Sequence, residues 1–90
     1  MIRNIKYTKR FQKDLKRMIK RNKDMKIIKN VISKLLQKIP LEAKYKNHKL
    51  IGNYKNRYEC HIESNWLLIY KYEENEIILE RTGTHNDLFD

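Results

Sequence analysis

The chain has 90 residues, of which 40% are apolar, and a formal net charge of +10. This length suits one domain over residues 1–90, with a modest core that buries roughly 60–65% of the unfolded surface, and the apolar content excludes a disordered tail. No apolar run approaches the roughly 18 residues of a membrane span, and the N-terminus lacks the apolar stretch of a secretory signal. We therefore expect a cytoplasmic protein without a membrane partner.

The positive charge lies in the first half of the chain. Residues 1–38 contain fourteen Lys or Arg against two Asp, a net +12, whereas residues 39–90 contain seven against nine acidic residues, a net −2. Like charges concentrated in this way repel one another, so they are best explained if that half binds a polyanion, either a nucleic acid or an acidic protein. The alternative is that lysine simply solvates the helices.

The first 40 residues predict one strand and two helices. Residues 2–7 alternate as a strand does, and Thr8 can cap a helix over about 8–21. The apolar stripe of this helix consists of Phe11, Leu15, Met18 and Ile19. A second helix with a broad apolar face follows over about 24–38 and ends before Pro40. We expect the two helices to form an antiparallel hairpin.

The second half predicts four strands joined by short turns. A loop over 41–49 leads into a short strand at 50–52, and strands follow at 57–62, 66–72 and 76–81. Residues 82–84 should end the last strand, after which the tail docks on the sheet as one helical turn. Short turns make neighbouring strands antiparallel. The predicted fold class is therefore α+β: a two-helix hairpin packed on a curved, mainly antiparallel sheet of four to five strands, in the order strand-helix-helix-strand-strand-strand-strand.

Residues 57–72 contain both expected core positions and side chains that could take part in catalysis. Side chains alternate along a strand, so one face should carry Tyr58, Cys60 and Ile62 toward the core, and the other should carry Arg57, Glu59, His61 and Glu63 outward. Ordinary solvation explains such a polar face equally well. Cys60 is the only cysteine, so no internal disulfide can form and a buried thiol is expected.

Three histidines come from different parts of the chain: His48 from a loop, His61 from a strand and His85 from the tail. In an antiparallel meander they can converge on one side of the sheet. Histidines on either side of an RNA phosphodiester can take a proton from the 2′-hydroxyl and give one to the leaving group, and this reaction needs no metal ion. A zinc site is the competing use, but the short ligand spacings and a second cysteine are missing. We predict no metal and no other cofactor.

Cations and aromatic rings suited to RNA accompany the histidines. The candidate cations, which would balance charge on the phosphoryl oxygens, are Arg81, Arg57, Lys46 and Lys49. The candidates for stacking on bases are Tyr54, Tyr58, Trp66 and Phe89. Core packing for Trp66 and tail docking for Phe89 are the structural alternatives.

Several short motifs follow one another in a specific order. A His precedes a Leu-x-Gly turn at residues 48–52, an Arg-Tyr-x-x-His strand follows at 57–61, Trp-Leu-Leu-Ile-Tyr follows at 66–70, and Arg-Thr-Gly-Thr-His leads to Leu-Phe over 81–89. The first half adds Phe-x-Lys-Asp at 11–14. Together, and in this order, they resemble the YafQ branch of the RelE/ParE toxin superfamily over nearly the whole chain.

This resemblance implies a RelE-like fold and the toxin of a type II toxin–antitoxin pair, which acts in the ribosomal A site and cuts mRNA there. By motif position, the catalytic residues would be His48, His61, His85 and Arg81, supported by Trp66 and Phe89. The implied partners are the ribosome with its rRNA, the mRNA, and an acidic antitoxin that covers the basic surface.

Two positions near the histidines qualify this assignment. Asn65 stands where close relatives carry Asp, and an amide cannot accept a proton as a base. Glu59 stands where relatives can have Asp and could place a negative charge beside a histidine. We include both among the substrate-site residues.

Two other functions remain open from the sequence. A ParE-like toxin would share the fold and poison DNA gyrase without a histidine site, and the three histidines argue against it. A catalytically inactive module that binds RNA or an antitoxin is the second alternative, since Asn65 replaces a carboxylate.

Overall fold

The computed structural model describes residues 4–52 and 56–89. Its strands are β1 (Asn4–Tyr7), β2 (His48–Lys49), β3 (Tyr58–Glu63), β4 (Trp66–Glu73) and β5 (Glu76–Gly83). Its helices are α1 (Lys9–Lys20), α2 (Met25–Leu36) and α3 (His85–Phe89), with a 3₁₀ turn at Ala43–Tyr45. The strands form one sheet in the order β1-β5-β4-β3-β2. The predicted α+β class and order of elements are confirmed.

The sheet is mixed rather than entirely antiparallel. The pairs β2–β3, β3–β4 and β4–β5 are antiparallel, as their connections predict. In contrast, β1 pairs with β5 in parallel, with Ile5 opposite Ile77. No turn joins these two strands, so the hairpin rule that orients the other strands does not apply to them.

Side-chain caps start both long helices. The hydroxyl of Thr8 accepts the N–H of Phe11 at 3.0 Å, and the carboxylate of Asp24 accepts the N–H of Lys26 at 2.9 Å. Each cap satisfies one of the amide groups that the first turn of a helix leaves unpaired.

Within residues 4–52 and 56–89, no helix is both long and apolar enough to cross a membrane.

One core fills the space between the helices and the inner face of the sheet. Its buried members include Phe11 and Met18 of α1, Ile28, Val31 and Leu35 of α2, and Trp66, Leu68 and Tyr70 of β4. Cys60 lies in this core, as predicted. Burial raises the pKa of its thiol to about 12, so the reactive thiolate does not form at neutral pH.

A smaller apolar cluster lies on the outer face of the sheet, away from α1 and α2. Leu67 and Ile69 of β4 contact Leu88 of α3, and Leu50 packs against them. The middle of β4 is therefore buried on both faces. The register sets Glu59 opposite Ile69, so α3 covers the face that carries the outward residues of β3.

The strand expected at residues 50–52 lies two residues earlier. Lys46 adopts a positive φ of 46° and turns the chain out of the 3₁₀ segment, so pairing with β3 begins at His48. Leu50 adds one further hydrogen bond, from its N–H to the carbonyl oxygen of Arg57 at 2.8 Å. The earlier start places His48 in the sheet rather than in a loop.

The predicted end of β5 is also wrong. Thr82 and Gly83 belong to the strand and pair with Leu68 and Leu67. The hydroxyl of Thr82 donates to the carbonyl oxygen of Leu67 at 2.7 Å, which explains why a threonine expected to break the strand extends it.

Candidate functional site

Two histidines meet one carboxylate on the outer face of β2 and β3. Strand pairing sets His48 opposite Glu59, and His61 lies two residues further along the same face of β3. The Nε2 atoms of both rings lie 3.6 Å from the same oxygen, Oε1 of Glu59. The two imidazoles therefore share this carboxylate.

Backbone carbonyls orient both rings. Nδ1 of His48 lies 2.7 Å from the carbonyl oxygen of Lys46, and Nδ1 of His61 lies 3.3 Å from that of Ser64. Because a carbonyl oxygen can only accept, these contacts assign the hydrogen to Nδ1. Nε2 is then the atom of each ring that exchanges a proton.

Glu59 is almost fully buried beside these two rings. Its residue exposure is only 5%, and a charge removed from water needs an opposite charge or a hydrogen bond nearby. The imidazoles of His48 and His61 both lie within ion-pair distance of this carboxylate. In the part of the chain that the structure describes, no group of three or more His, Cys, Asp and Glu side chains is arranged to hold a metal ion.

His85 is the first residue of α3, the helix whose Leu88 packs on the same face of the sheet. Its backbone N–H donates to Oδ1 of Asn65 at 3.1 Å, and its ring centroid lies 5.0 Å from that of Phe89. Asn65 follows Ser64 in the turn between β3 and β4, so this turn fixes His61 through a carbonyl group and His85 through a side chain. His85 and Phe89 are both exposed and accessible to a ligand.

Arg81 is held by a carboxylate of α1. Its Nε atom donates to Oδ2 of Asp14 at 2.7 Å and its Nη2 atom donates to Oδ1 at 3.2 Å, and the N–H of Thr82 also donates to Oδ2 at 3.2 Å. Asp14 is 3% exposed. Asp14 entered the prediction only as part of the Phe-x-Lys-Asp motif, although a carboxylate between Phe11 and Met18 on the apolar stripe of α1 indicates a buried charge that needs a partner.

A cleft of about 400 Å³ opens beside His61. Its polar lining includes Lys44, Lys46 and Ser64, and its apolar lining includes Ile27 and Ile62. Lys46 therefore contributes in two ways, since its carbonyl orients His48 and its side chain borders the cleft. Lys44 is a further cation at this cleft and was not among the predicted cations.

Lys49 and Arg57 lie together in a second groove, of about 430 Å³, which Lys71 also lines. Nε of Arg57 donates to Glu80 at 3.1 Å, and the Lys71 ammonium lies 3.7 Å from the same carboxylate. Among residues 4–52 and 56–89, the two depressions share no lining residue. Three of the four predicted cations thus divide between two surfaces, Lys46 at one and Lys49 and Arg57 at the other.

The aromatic candidates differ in accessibility. Trp66 is 0% exposed, and its ring N–H donates to the hydroxyl of Thr82 at 2.8 Å, so a base cannot stack on it and its contribution is to the core. Tyr58 stacks on Tyr70 with ring centroids 5.5 Å apart. Tyr54 lies outside the described residues. Phe89 is the candidate that combines an exposed ring with contact to a histidine.

Comparisons with known proteins agree on one family. A family model described as the bacterial toxin of a type II toxin–antitoxin system, YafQ, matches residues 3–90. The mRNA interferase toxin YafQ of Escherichia coli (strain K12) is 42% identical over 88 residues, which cover 97% of this chain and 96% of that protein. The crystal structure of a copper-bound mutant toxin from Helicobacter pylori superposes with a TM-score of 0.94 at 35% identity, covering 99% of this chain and 100% of that one. The crystal structure of the E. coli DinJ-YafQ complex matches with a TM-score of 0.90 at 42% identity, covering 98% and 99%.

Proposed function

Because the chain belongs to the YafQ family of toxins from type II toxin–antitoxin systems, we propose that it is a ribosome-dependent endoribonuclease that cuts mRNA in the A site, in the cytosol. The observation that carries this proposal is the placement of His48 and His61 on either side of Glu59, on the face that α3, the helix of His85, covers. Two imidazoles with available Nε2 atoms suit the proton transfers of RNA cleavage.

The proposed reaction transfers the phosphoryl group from the 5′-oxygen of one nucleotide to the 2′-oxygen of its neighbour. One histidine accepts the proton of the 2′-hydroxyl as that oxygen bonds to phosphorus, and another donates a proton to the 5′-oxygen as its bond to phosphorus breaks. The products are a 2′,3′-cyclic phosphate and a 5′-hydroxyl. His48 and His85 share these two roles, and His61 assists or orients through Glu59. RNA supplies the nucleophile, so we propose that the step is independent of a metal ion.

The charge on the phosphoryl oxygens would be balanced by cations around the site. Lys46 and Lys44 border the cleft beside His61, and Arg81 acts from the fixed position that Asp14 gives it. Phe89 would stack on a base next to the cut. Lys49 and Arg57, in the second groove, would bind a more distant part of the message.

The first half of the chain would bind rRNA and, in competition with it, an antitoxin. Its net charge of +12 suits either polyanion. The structure of a relative with DinJ supports an antitoxin as the protein partner, and we propose that an acidic one covers the basic surface and keeps the toxin off the ribosome.

Mapping the 5′ ends of cellular mRNA after brief expression tests the proposal against its alternatives. New ends within translated codons are expected for a ribosome-dependent nuclease. DNA breaks without such ends would indicate a ParE-like gyrase toxin, and neither result would indicate an inactive binding module. Either of the last two outcomes would contradict the proposed function.

Replacing Glu59 with Gln should lower the cleavage rate at saturating ribosome concentration by about tenfold, which corresponds to about 1.4 kcal/mol of lost attraction between the carboxylate and the imidazoles in the transition state. The amide keeps the size of the side chain but removes the negative charge next to both Nε2 atoms. Glu74→Gln, in the exposed β4–β5 turn, is the matched control. Equal single-turnover rates for the two variants would exclude a role for the Glu59 charge.

Replacing Asn65 should distinguish hydrogen bonding from proton transfer at this turn. An Asp would accept the N–H of His85 as the amide oxygen does, so Asn65→Asp should cut at nearly the wild-type rate. Asn65→Ala removes the acceptor and should slow cleavage about two- to tenfold. If Asn65→Asp instead cut many times faster than wild type, a carboxylate at this position would take part in proton transfer.

A further inference from the structure

The helix that carries His85 is fastened to α1 by an ion pair. Asp87 accepts two hydrogen bonds from Arg21, from Nη1 at 2.7 Å and from Nη2 at 3.2 Å. Arg21 directly follows the last residue of α1, and Asp87 lies two residues after His85. The hydrogen bond from Arg21 holds the pKa of the Asp87 carboxyl well below its usual range, so this contact persists throughout the physiological pH range.

Asp87 also closes the first turn of α3. The N–H of Thr84 donates to Oδ2 of Asp87 at 2.9 Å, and the N–H of Asp87 donates to the hydroxyl of Thr84 at 3.2 Å. This reciprocal arrangement is a capping box. Gly83 permits the close approach, because a Cβ atom there would lie 3.0 Å from Cβ of Asp87. One carboxylate therefore sets both the start of α3 and its attachment to α1.

Arg17 extends the same row of charges toward Arg81. Its Nη1 atom lies 3.6 Å from Asp87 and 3.8 Å from Asp14, and Asp14 holds Arg81. Asp14, Arg17 and Arg21 recur at i, i+3 and i+7, so they share one face of α1. This face of α1 thus aligns the two elements, β5 and α3, that carry Arg81 and His85.

We propose that Arg21 is a positioning residue for RNA cleavage: through Asp87, it holds α3 so that the His85 imidazole keeps the place on the outer face that proton transfer requires. The inference rests on the proposed nuclease function. Without Arg21, α3 retains its cap, the contact of Leu88 with the sheet and the longer ion pair between Asp87 and Arg17, but it loses the bidentate contact to α1. Displacement of a catalytic group by about 1 Å can cost up to about a hundredfold in rate, so a loose attachment should slow the chemical step.

Single-turnover cleavage on programmed ribosomes tests this role with three variants: Arg21→Ala, Arg21→Lys and Arg10→Ala. Arg10 is an exposed arginine near the start of α1, so its replacement removes the same charge without touching Asp87. A general loss of ribosome affinity would raise the half-saturating concentration in both alanine variants. We expect Arg21→Ala alone to lower the saturating rate, by about tenfold, and Arg21→Lys to recover part of it.

Hydrogen exchange supplies a readout that is independent of activity. The N–H of Leu88 donates to the carbonyl oxygen of Thr84 at 3.1 Å, and its exchange, followed by NMR, should be faster in Arg21→Ala than in Arg10→Ala. Unchanged exchange would overturn the inference whether or not the protein cuts RNA.

Comparison with His85→Ala separates the two proposals. An inactive His85→Ala beside a fully active Arg21→Ala would overturn the positioning role alone. If His85→Ala cut as fast as wild type, the proposed histidine chemistry would fail and the positioning role of Arg21 would fail with it.

Discussion

Replacing His85 with Ala should abolish mRNA cleavage and leave the fold intact. General acid–base catalysis by a positioned side chain contributes about 10²- to 10⁴-fold in rate, and this loss should appear in the single-turnover rate on programmed ribosomes. The His85 side chain is exposed, and the hydrogen bond to Asn65 comes from its backbone. The free energy of unfolding should therefore change by no more than about 0.5 kcal/mol.

The neighbouring Asn86→Ala is the matched control for His85→Ala. Asn86 lies on the same short helix and is exposed, so its replacement tests whether any change in α3 is enough to stop cleavage. We expect Asn86→Ala to cut at the wild-type rate. Wild-type cleavage by His85→Ala, or equal losses in both variants, would rule out the assigned role of the imidazole.

Replacing Asp14 with Asn should cause a large loss of stability. The carboxylate is almost fully buried, and it accepts hydrogen bonds from Arg81 and from the N–H of Thr82. Removing one partner of a buried ion pair typically costs about 3 kcal/mol. For a domain of this size, the melting temperature should fall by roughly 10–20 °C, which thermal unfolding followed by circular dichroism can measure.

Asp24→Asn is the control for Asp14→Asn. Asp24 is the exposed cap of α2, and Asn caps helices about as well as Asp, so the same chemical change should cost no more than about 0.5 kcal/mol there. Similar melting temperatures for the two variants would show that the contact between Asp14 and Arg81 contributes little to the fold.

Most helices and strands of the fold are predictable because patterns between neighbouring residues, such as side-chain alternation and short turns, determine them. The alternation at Tyr58, Cys60 and Ile62 gives the inner face of β3, and short turns give the antiparallel pairs. The parallel pairing of β1 with β5 depends on tertiary packing and has no local pattern. The early start of β2 depends on the left-handed conformation of Lys46, which few non-glycine residues adopt.

Local rules predict only part of the candidate site. Strand alternation places Glu59 and His61 on one face, and the order of strands brings His48 beside them. Two contacts near the site join residues that are far apart in the sequence: Asp14 with Arg81, and Arg21 with Asp87. They depend on how α1 packs against β5 and α3, which no local sequence pattern predicts. Trp66 lies on the inner face of β4 with Leu68 and Tyr70 and is therefore buried. Core packing, the structural alternative given for Trp66, is the outcome, although the family resemblance implied a supporting role at the site.

The chemical nature of the new mRNA ends is the sharpest test of ribosome-dependent cleavage by the 2′-hydroxyl without a metal ion. The toxin, pretreated with 1,10-phenanthroline to remove transition metals, would be added to ribosomes programmed with a defined mRNA in a magnesium buffer. The proposed mechanism predicts a single cut in the A-site codon, with a 2′,3′-cyclic phosphate on one fragment and a 5′-hydroxyl on the other, at the same rate as the untreated toxin. A 5′-phosphate end, equal cutting of the mRNA without ribosomes, or activity that returns only when a transition metal is added would contradict it.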